Sequence, residues 1–210
     1  MLFEFDKVSA EVGYKLLTST VTPRPIAWIS TLGLNGVVNA APFSFFNAMG
    51  HSPPTLAVGL LRDAVRGWKD TARNILDSGE FVVNLVPEVL AEAMNVTCAG
   101  VGPEVSEIEL AGLEVAASRH IKPPRIAASP VSFECVVLSS VVTGPMQTIV
   151  IGRVVAAHID DAVILDAERG HIDTPALVLI GRMHGAGWYA RSSDLFQLGR
   201  PAGGAGVKPG

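Results

Sequence analysis

Residues 24–54, RPIAWISTLGLNGVVNAAPFSFFNAMGHSPP, decide how this chain is read. Ile26–Leu32 alternates and is rich in β-formers, which predicts a strand. Leu34-Asn35-Gly36 predicts a turn, because Asn-Gly readily takes positive φ. Val37–Phe46 predicts the returning strand, and its composition is unusual. Asn39, Ser44 and Asn47 interrupt an apolar run, with Ala40, Ala41 and Pro42 among them. A strand serving only a core would use Val, Ile and Phe throughout. Small side chains let a flat ligand approach the backbone, and Ser and Asn supply hydrogen bonds to its polar edge.

Outward from this hairpin, residues 11–18 predict a short helix. Pro53-Pro54 breaks the chain before a third strand, Thr55–Leu61. Asp70–Leu76 predicts a helix capped by Asp70 and ended by Ser78-Gly79. Phe81–Val86 predicts a buried strand, and Pro87 opens a helix over Glu88–Val96. Glu104–Leu110 predicts another short helix, and Lys122-Pro123-Pro124-Arg125 a loop. Val131–Val142 and Gln147–Ile159 predict long strands around Thr143-Gly144-Pro145, and Ala176–Ile180 a final strand. Residues 1–200 form a single domain in this reading, and 201–210, PAGGAGVKPG, a flexible tail. Strands outnumber helices. The expected class is mainly β, an antiparallel barrel with helical insertions, since closure removes exposed edges.

The 210 residues are 49% hydrophobic and only 17% charged, with Gly 21 and Pro 14. So few charges imply surface buried against a partner, and hence an oligomer. The net charge of −4 and the lack of a Lys/Arg stripe argue against nucleic acid. The N-terminal MLFEFDKVSAEVGYK lacks a secretory pattern, and no apolar run is long enough to span a bilayer. Cys98 and Cys135 form neither a CxxC pair nor a disulfide framework, so a reducing cytoplasm is expected.

Several residue groups are candidates for chemistry. Ser30, Thr31, Asn39, Ser44 and Asn47 converge on the first hairpin; the plain alternative is hydrogen bonding within turns and edges. Arg62, Trp68-Lys69-Asp70-Thr71 and Asn74 gather at a helix start, where free N–H groups and basic side chains suit a phosphate. The plain alternative there is a capped surface helix. Gly185-Ala186-Gly187-Trp188-Tyr189-Ala190 matches GxGxxA, but too little chain follows for a dinucleotide fold, so these glycines predict a tight bend. His51, His120, His158, His171 and His184 show no metal-ligand spacing, and no metal is expected. His184 stands out only because it lies between Arg182 and the glycines. There is no GxSxG elbow, no P-loop and no Cys/His pair for nucleophilic chemistry.

The chain resembles the flavin reductase-like family with the FMN-binding split barrel. The resemblance is carried by RPIAWIST (24–31), the turn with Gly36, NAAPFSFF (39–46), PP (53–54), KDTARNI (69–75), FVVNLV (81–86) and IGRMHGAGWYA (180–190). It implies a Greek-key split β-barrel and a homodimer binding FMN, or FAD, at the subunit interface. By position, Ser30, Thr31 and Asn39 would line the phosphate and ribityl side. Ala41, Phe43, Ser44 and Asn47 would edge the isoalloxazine, and Arg62, Lys69 and Thr71 would hold the phosphate. Ser44 and His184 are the catalytic candidates, and His184 and Tyr189 would approach the flavin or the nicotinamide. The implied activity passes hydride from NAD(P)H to flavin N5. Electrons then go to free flavin, a ferric complex, oxygen or a partner monooxygenase. Two alternatives stay open: a flavin-storage dimer without turnover, and a pyridoxamine-phosphate-oxidase-like enzyme.

Overall fold

The computed structural model describes residues 1–63 and 67–199; the predicted tail at 201–210 lies outside them. In chain order the strands are β1 Ala27–Leu32, β2 Val38–Phe43, β3 Phe46–His51, β4 Pro54–Asp63, β5 Gly67–Trp68 and β6 Glu80–Asn84. There follow β7 Val115–Ala116, β8 Arg125–Ile126, β9 Val131–Gly144, β10 Gln147–Ile159, β11 Ile164–Asp166, β12 His171–Ile172, β13 Ile180–Arg182 and β14 Tyr189–Arg191. The helices are α1 Ala10–Thr20, α2 Asp70–Ser78, α3 Ala91–Val96 and α4 Glu107–Leu110.

The main sheet is antiparallel, in the order β2-β1-β6-β9-β10-β4-β3, with β5 on β4. Its two end strands, β2 and β3, are consecutive in the chain and joined only by Ser44-Phe45. The sheet must therefore curl until its edges meet. Among the described residues no ladder joins β2 to β3. The backbone itself spans the seam, aided by Gly59 N–H donating to Phe45 O at 2.7 Å. Gly59 is required there, because a Cβ would approach Phe45 Cβ to 2.9 Å. The architecture is thus a mainly β split barrel, in line with the sequence-based expectation.

Both faces of β1 are covered, which explains its nearly continuous apolar run. Ala27 and Ile29 face the barrel interior with Val58, Leu60, Phe81, Val83 and Val150, under Ala72 and Ile75 of α2. Trp28 faces outward into a second cluster with Ile26, Ala40, Met94, Ile108 and Ile126, and its Nε1–H donates to Thr97 Oγ1 at 2.9 Å. α3 and α4 close this outer layer. Burying side chains of this size contributes about 1.5–3 kcal/mol each.

Besides shorter helices at Ala91–Val96 and Glu107–Leu110 and a β8 that begins at Arg125 within the expected loop, the structure departs from the sequence reading in three larger respects. The strand expected over Val37–Phe46 is two strands in different parts of the sheet, because the chain crosses the seam at Ser44-Phe45. The strand expected over Ala176–Ile180 is a 3₁₀ turn, Pro175–Leu177, followed by Val178 at φ 47° and then β13. Thr174-Pro175 starts the turn and overrides the β propensity of the residues after it. Asp70 does not cap α2; Lys69 occupies the N-cap, and Asp70 lies in the first turn, paired with Arg73 at 3.2 Å. Among the described residues no helix is long and apolar enough to cross a membrane.

Candidate functional site

In β2, alternate residues share a face. Asn39, Ala41 and Phe43 all point the same way and form one wall of a cleft of about 650 Å³. Trp68 of β5 and Lys69, Asp70, Thr71 and Arg73 at the start of α2 follow, and the 97–103 segment closes the far side. Among the described residues the N-cap Lys69 makes no side-chain cap on α2, whose positive dipole end lies at the cleft with the Asp70 carboxylate in its first turn.

The cleft rests on a buried polar network. Asn39 Nδ2 donates to both Glu107 oxygens at 2.9 Å, and Ala40 N–H donates to Glu107 at 3.3 Å. Asn39 Oδ1 accepts from Thr71 Oγ1 and, at 3.4 Å, from Thr31 Oγ1; Asn74 in turn donates to Thr31. One Asn39 N–H is thus shared between the two Glu107 oxygens, and its Oδ1 accepts from two hydroxyls. Burial pushes the Glu107 carboxyl above the ordinary carboxylate range, against its own N–H and the Ala40 and Asn39 donors, while nearby Asp70 adds to the rise.

The expected site residues separate into groups. Asn39, Ala41, Phe43, Lys69 and Thr71 line the cleft together. Thr31 lies behind it, fully buried. Ser30, adjacent to Thr31, points to the opposite face, where it donates to Pro124 O at 2.6 Å and accepts from Asn84. Arg62 is exposed, with its guanidinium 5.9 Å above the Trp68 ring at the cleft edge. Ser44 and His184 line a second cleft. Asn47 lies on an apolar groove with Phe45, Phe46, Met49, Leu61 and Ile149.

Several residues of the region were not singled out as site residues in the sequence. Arg73 and the small residues Ala99, Gly100 and Gly102 line the first cleft; the glycine spacing at 100 and 102 was the one available hint. Arg24, 7% exposed, donates to Thr18 O, Val21 O and Met183 O at 2.6–2.9 Å, and so ties α1 to β13. Asn84 anchors β1, β8 and β9 through Trp28 O, Ile126 N and Ser132 Oγ. Glu134, fully buried, accepts from Arg119 N–H at 2.6 Å, His120 N–H at 2.7 Å and His158 Nε2 at 2.6 Å. Burial alone would raise its carboxyl; the Arg119, His158 and His120 donors outweigh that and hold it below the ordinary range. Both cysteines are free, and burial, with the Glu134 charge, pushes the Cys135 thiol up to about 12. Gly185 and Gly187, at φ 57° and 85°, form the bend between β13 and β14.

The donor set of the first cleft suits a phosphorylated flavin. Lys69 and the first-turn N–H groups suit the phosphate, although Arg73 is held on Asp70 and the carboxylates of Asp63, Asp70 and Glu107 share the lining; Ala41, Phe43 and the small-residue wall admit a flat ring. The chain belongs to the flavin reductase-like family: residues 19–181 match the flavin reductase like domain. It is 41% identical to the Bacillus subtilis protein YwrF over 206 residues, covering 96% of this chain and 99% of that one. Its structure is similar to nitrilotriacetate monooxygenase component B from Bacillus cereus, with TM-score 0.88, 34% identity and coverage of 94% and 98%. It is similar also to the Pseudomonas fluorescens 2-nitrobenzoate 2-nitroreductase NbaA, with TM-score 0.87, 31% identity and coverage of 98% and 100%. These likenesses identify a flavin-related oxidoreductase.

Proposed function

We propose that this protein is an FMN-binding, NAD(P)H-dependent flavin oxidoreductase of the cytoplasm. The observation that carries the reading is the convergence of Asn39, Ala41 and Phe43 with the open N-terminus of α2 in one cleft. Lys69 and the first-turn N–H groups would hold the phosphate, with Arg62, above the Trp68 ring, at the rim. Thr71 and Asn39 keep the wall in register through their mutual hydrogen bond. Ala41 and Phe43 would receive the ring, and Ser44, which lines the neighbouring cleft beside Pro42, would reach its edge from there. Bound FMN supplies the chemistry of accepting an electron pair from the nicotinamide and passing it on. His184 and Tyr189 line the neighbouring cleft, from which the nicotinamide would approach.

The acceptor is free flavin or a partner monooxygenase, a reading supported by the likeness to a protein named as a monooxygenase component. The chain works as a homodimer with the flavin at the interface. Support comes from exposed Met49, Leu138, Val142 and Ile149 on and beside the apolar groove.

Purified protein titrated with FMN, then treated anaerobically with NADH or NADPH, tests the reading. Saturable flavin binding followed by bleaching of the flavin absorbance is the expected result. A yellow protein that neither nucleotide bleaches makes it a carrier, and protein that ignores FMN overturns the proposal.

A further inference from the structure

The second cleft, of about 760 Å³, lies on the other side of Pro42 from the first; Pro42 and Cys98 line both. Its walls come from α1, the Ser44 kink and the β13–β14 hairpin, with Tyr14, Ile26, Met94 and Tyr189 as apolar surface. Its charges are unbalanced. Lys15, Arg24 and Arg182 line it, and the one carboxylate beside them, Glu11, is already bound to Lys15 at 2.7 Å. Among the described residues neither arginine forms an ion pair.

Arg24 is the more buried of the two. Its Nη1 donors are taken by Thr18 O and Val21 O, and one Nη2 donor by Met183 O. Its Nε contact to Ser44 Oγ is long, at 3.4 Å. Arg182 lies 4.9 Å from the centroid of the Tyr189 ring and donates from Nη2 to Gly185 O at 2.9 Å, which leaves most of its fork open to the cleft. Burial, and to a smaller degree the nearby Arg182 charge, pulls the Arg24 guanidinium down against the opposing influence of Tyr14. Two close guanidiniums without a counter-ion are unfavourable in a half-buried cleft unless an anion joins them. A planar fork beside an aromatic ring suits a carboxylate or phosphate carried on a flat body.

We infer that this cleft binds an organic anion, its carboxylate or phosphate on Arg182 and Arg24 and its body against Tyr14, Tyr189 and Pro42. The second substrate, donor or acceptor, is therefore recognised by charge. Its identity as a redox partner rests on the flavin reading, because only the shared wall of Pro42 and Cys98 puts it beside the first cleft; the anion site itself does not.

Calorimetric titration of the protein, with and without FMN, uses benzoate, its neutral isostere benzamide, and pyrophosphate. Benzoate or pyrophosphate binds, and benzamide binds at least about tenfold more weakly than benzoate. Arg182→Gln weakens the bound anion by about tenfold or more and leaves FMN affinity within about twofold. Arg182→Lys, which keeps the charge and loses the fork, falls between the two and serves if the glutamine variant does not fold. Preference for benzoate assigns the site to a carboxylate substrate, and preference for pyrophosphate to the phosphates of a nucleotide. Failure of both anions to bind, or unchanged anion affinity in the variants, overturns the inference. So does a tenfold loss of FMN affinity in Arg182→Gln, which would give the arginines to the flavin phosphate. Failure to bind FMN at all defeats the proposed function, and the anion titration on flavin-free protein still decides the site.

Discussion

Asn39→Asp challenges the network under the first cleft without changing its shape. The variant replaces the amide that donates to both Glu107 oxygens at 2.9 Å with a second carboxylate oxygen. At an effective dielectric constant of about 20, like charges about 3 Å apart repel by roughly 5.5 kcal/mol. The protein limits that loss by keeping one proton on the pair. Starting from an ordinary carboxylate pKa of about 4.3, holding a proton takes roughly 4 kcal/mol at about pH 7.5 and roughly 1 kcal/mol at about pH 5. Burial already raises Glu107 in the parent, so the expected loss at neutral pH is about 3–4 kcal/mol. The folded-state pKa of the pair lies above its unfolded value. The folded variant therefore binds more protons than the unfolded chain, and its stability recovers as pH falls. Urea denaturation of parent and variant at both pH values measures the difference. A loss below about 1 kcal/mol at neutral pH, or an equal loss at both, refutes the network as drawn.

Three further outcomes are expected. Ser44→Leu, at the seam, lowers FMN affinity by about tenfold or more in a fluorescence-quenching titration; near-parent affinity and turnover contradict the assignment. Glu134→Gln loses about 2–4 kcal/mol at neutral pH, since its amide NH2 then faces either the Arg119 or the His120 N–H group and the charge that all three donors held is gone. Because the Glu134 pKa is lowered in the fold, its contribution is present above the unfolded value of about 4.3 and lost as pH falls through the folded one. The variant should therefore show a flatter acid limb in thermal melts across pH, and an unchanged limb counts against the clamp. Gly152→Ala sets a Cβ 2.6 Å from Phe81 Cζ in the barrel core and costs about 1–3 kcal/mol by chemical denaturation; a neutral effect means the core yields more easily than its packing implies.

Local patterns made β1, the long β9–β10 hairpin and α2 legible, because each is a run of one periodicity ended by Gly or Pro. The face of β2 was legible for the same reason, as Asn39, Ala41 and Phe43 stand two residues apart. What could not be read is pairing. Phe43, Phe45 and Phe46 have equal β propensity, so nothing local shows that the chain leaves one sheet edge after Phe43 and joins the other at Phe46. Ser30 and Thr31 looked like one polar pair, yet adjacent strand residues face opposite ways, and only Thr31 backs the cleft. Glu107, Glu134 and Arg24 were invisible for a different reason. A lone charge in sequence reads as surface until distant segments bury it, as the 119–120 amides and His158 do for Glu134.

The hairpin of β9 and β10 enters the sheet between β6 and β4, although the chain that lines the first cleft is complete by Glu107. During synthesis, every residue of that cleft leaves the ribosome before the strands that join its two halves into one sheet. Until residues 131–159 emerge, β6 and β4 are open edges, and the start of α2 has no finished barrel to sit on. Cofactor capture is thus a late event in the life of the nascent chain, and a chaperone that shields those edges would act before any flavin could help hold the fold together.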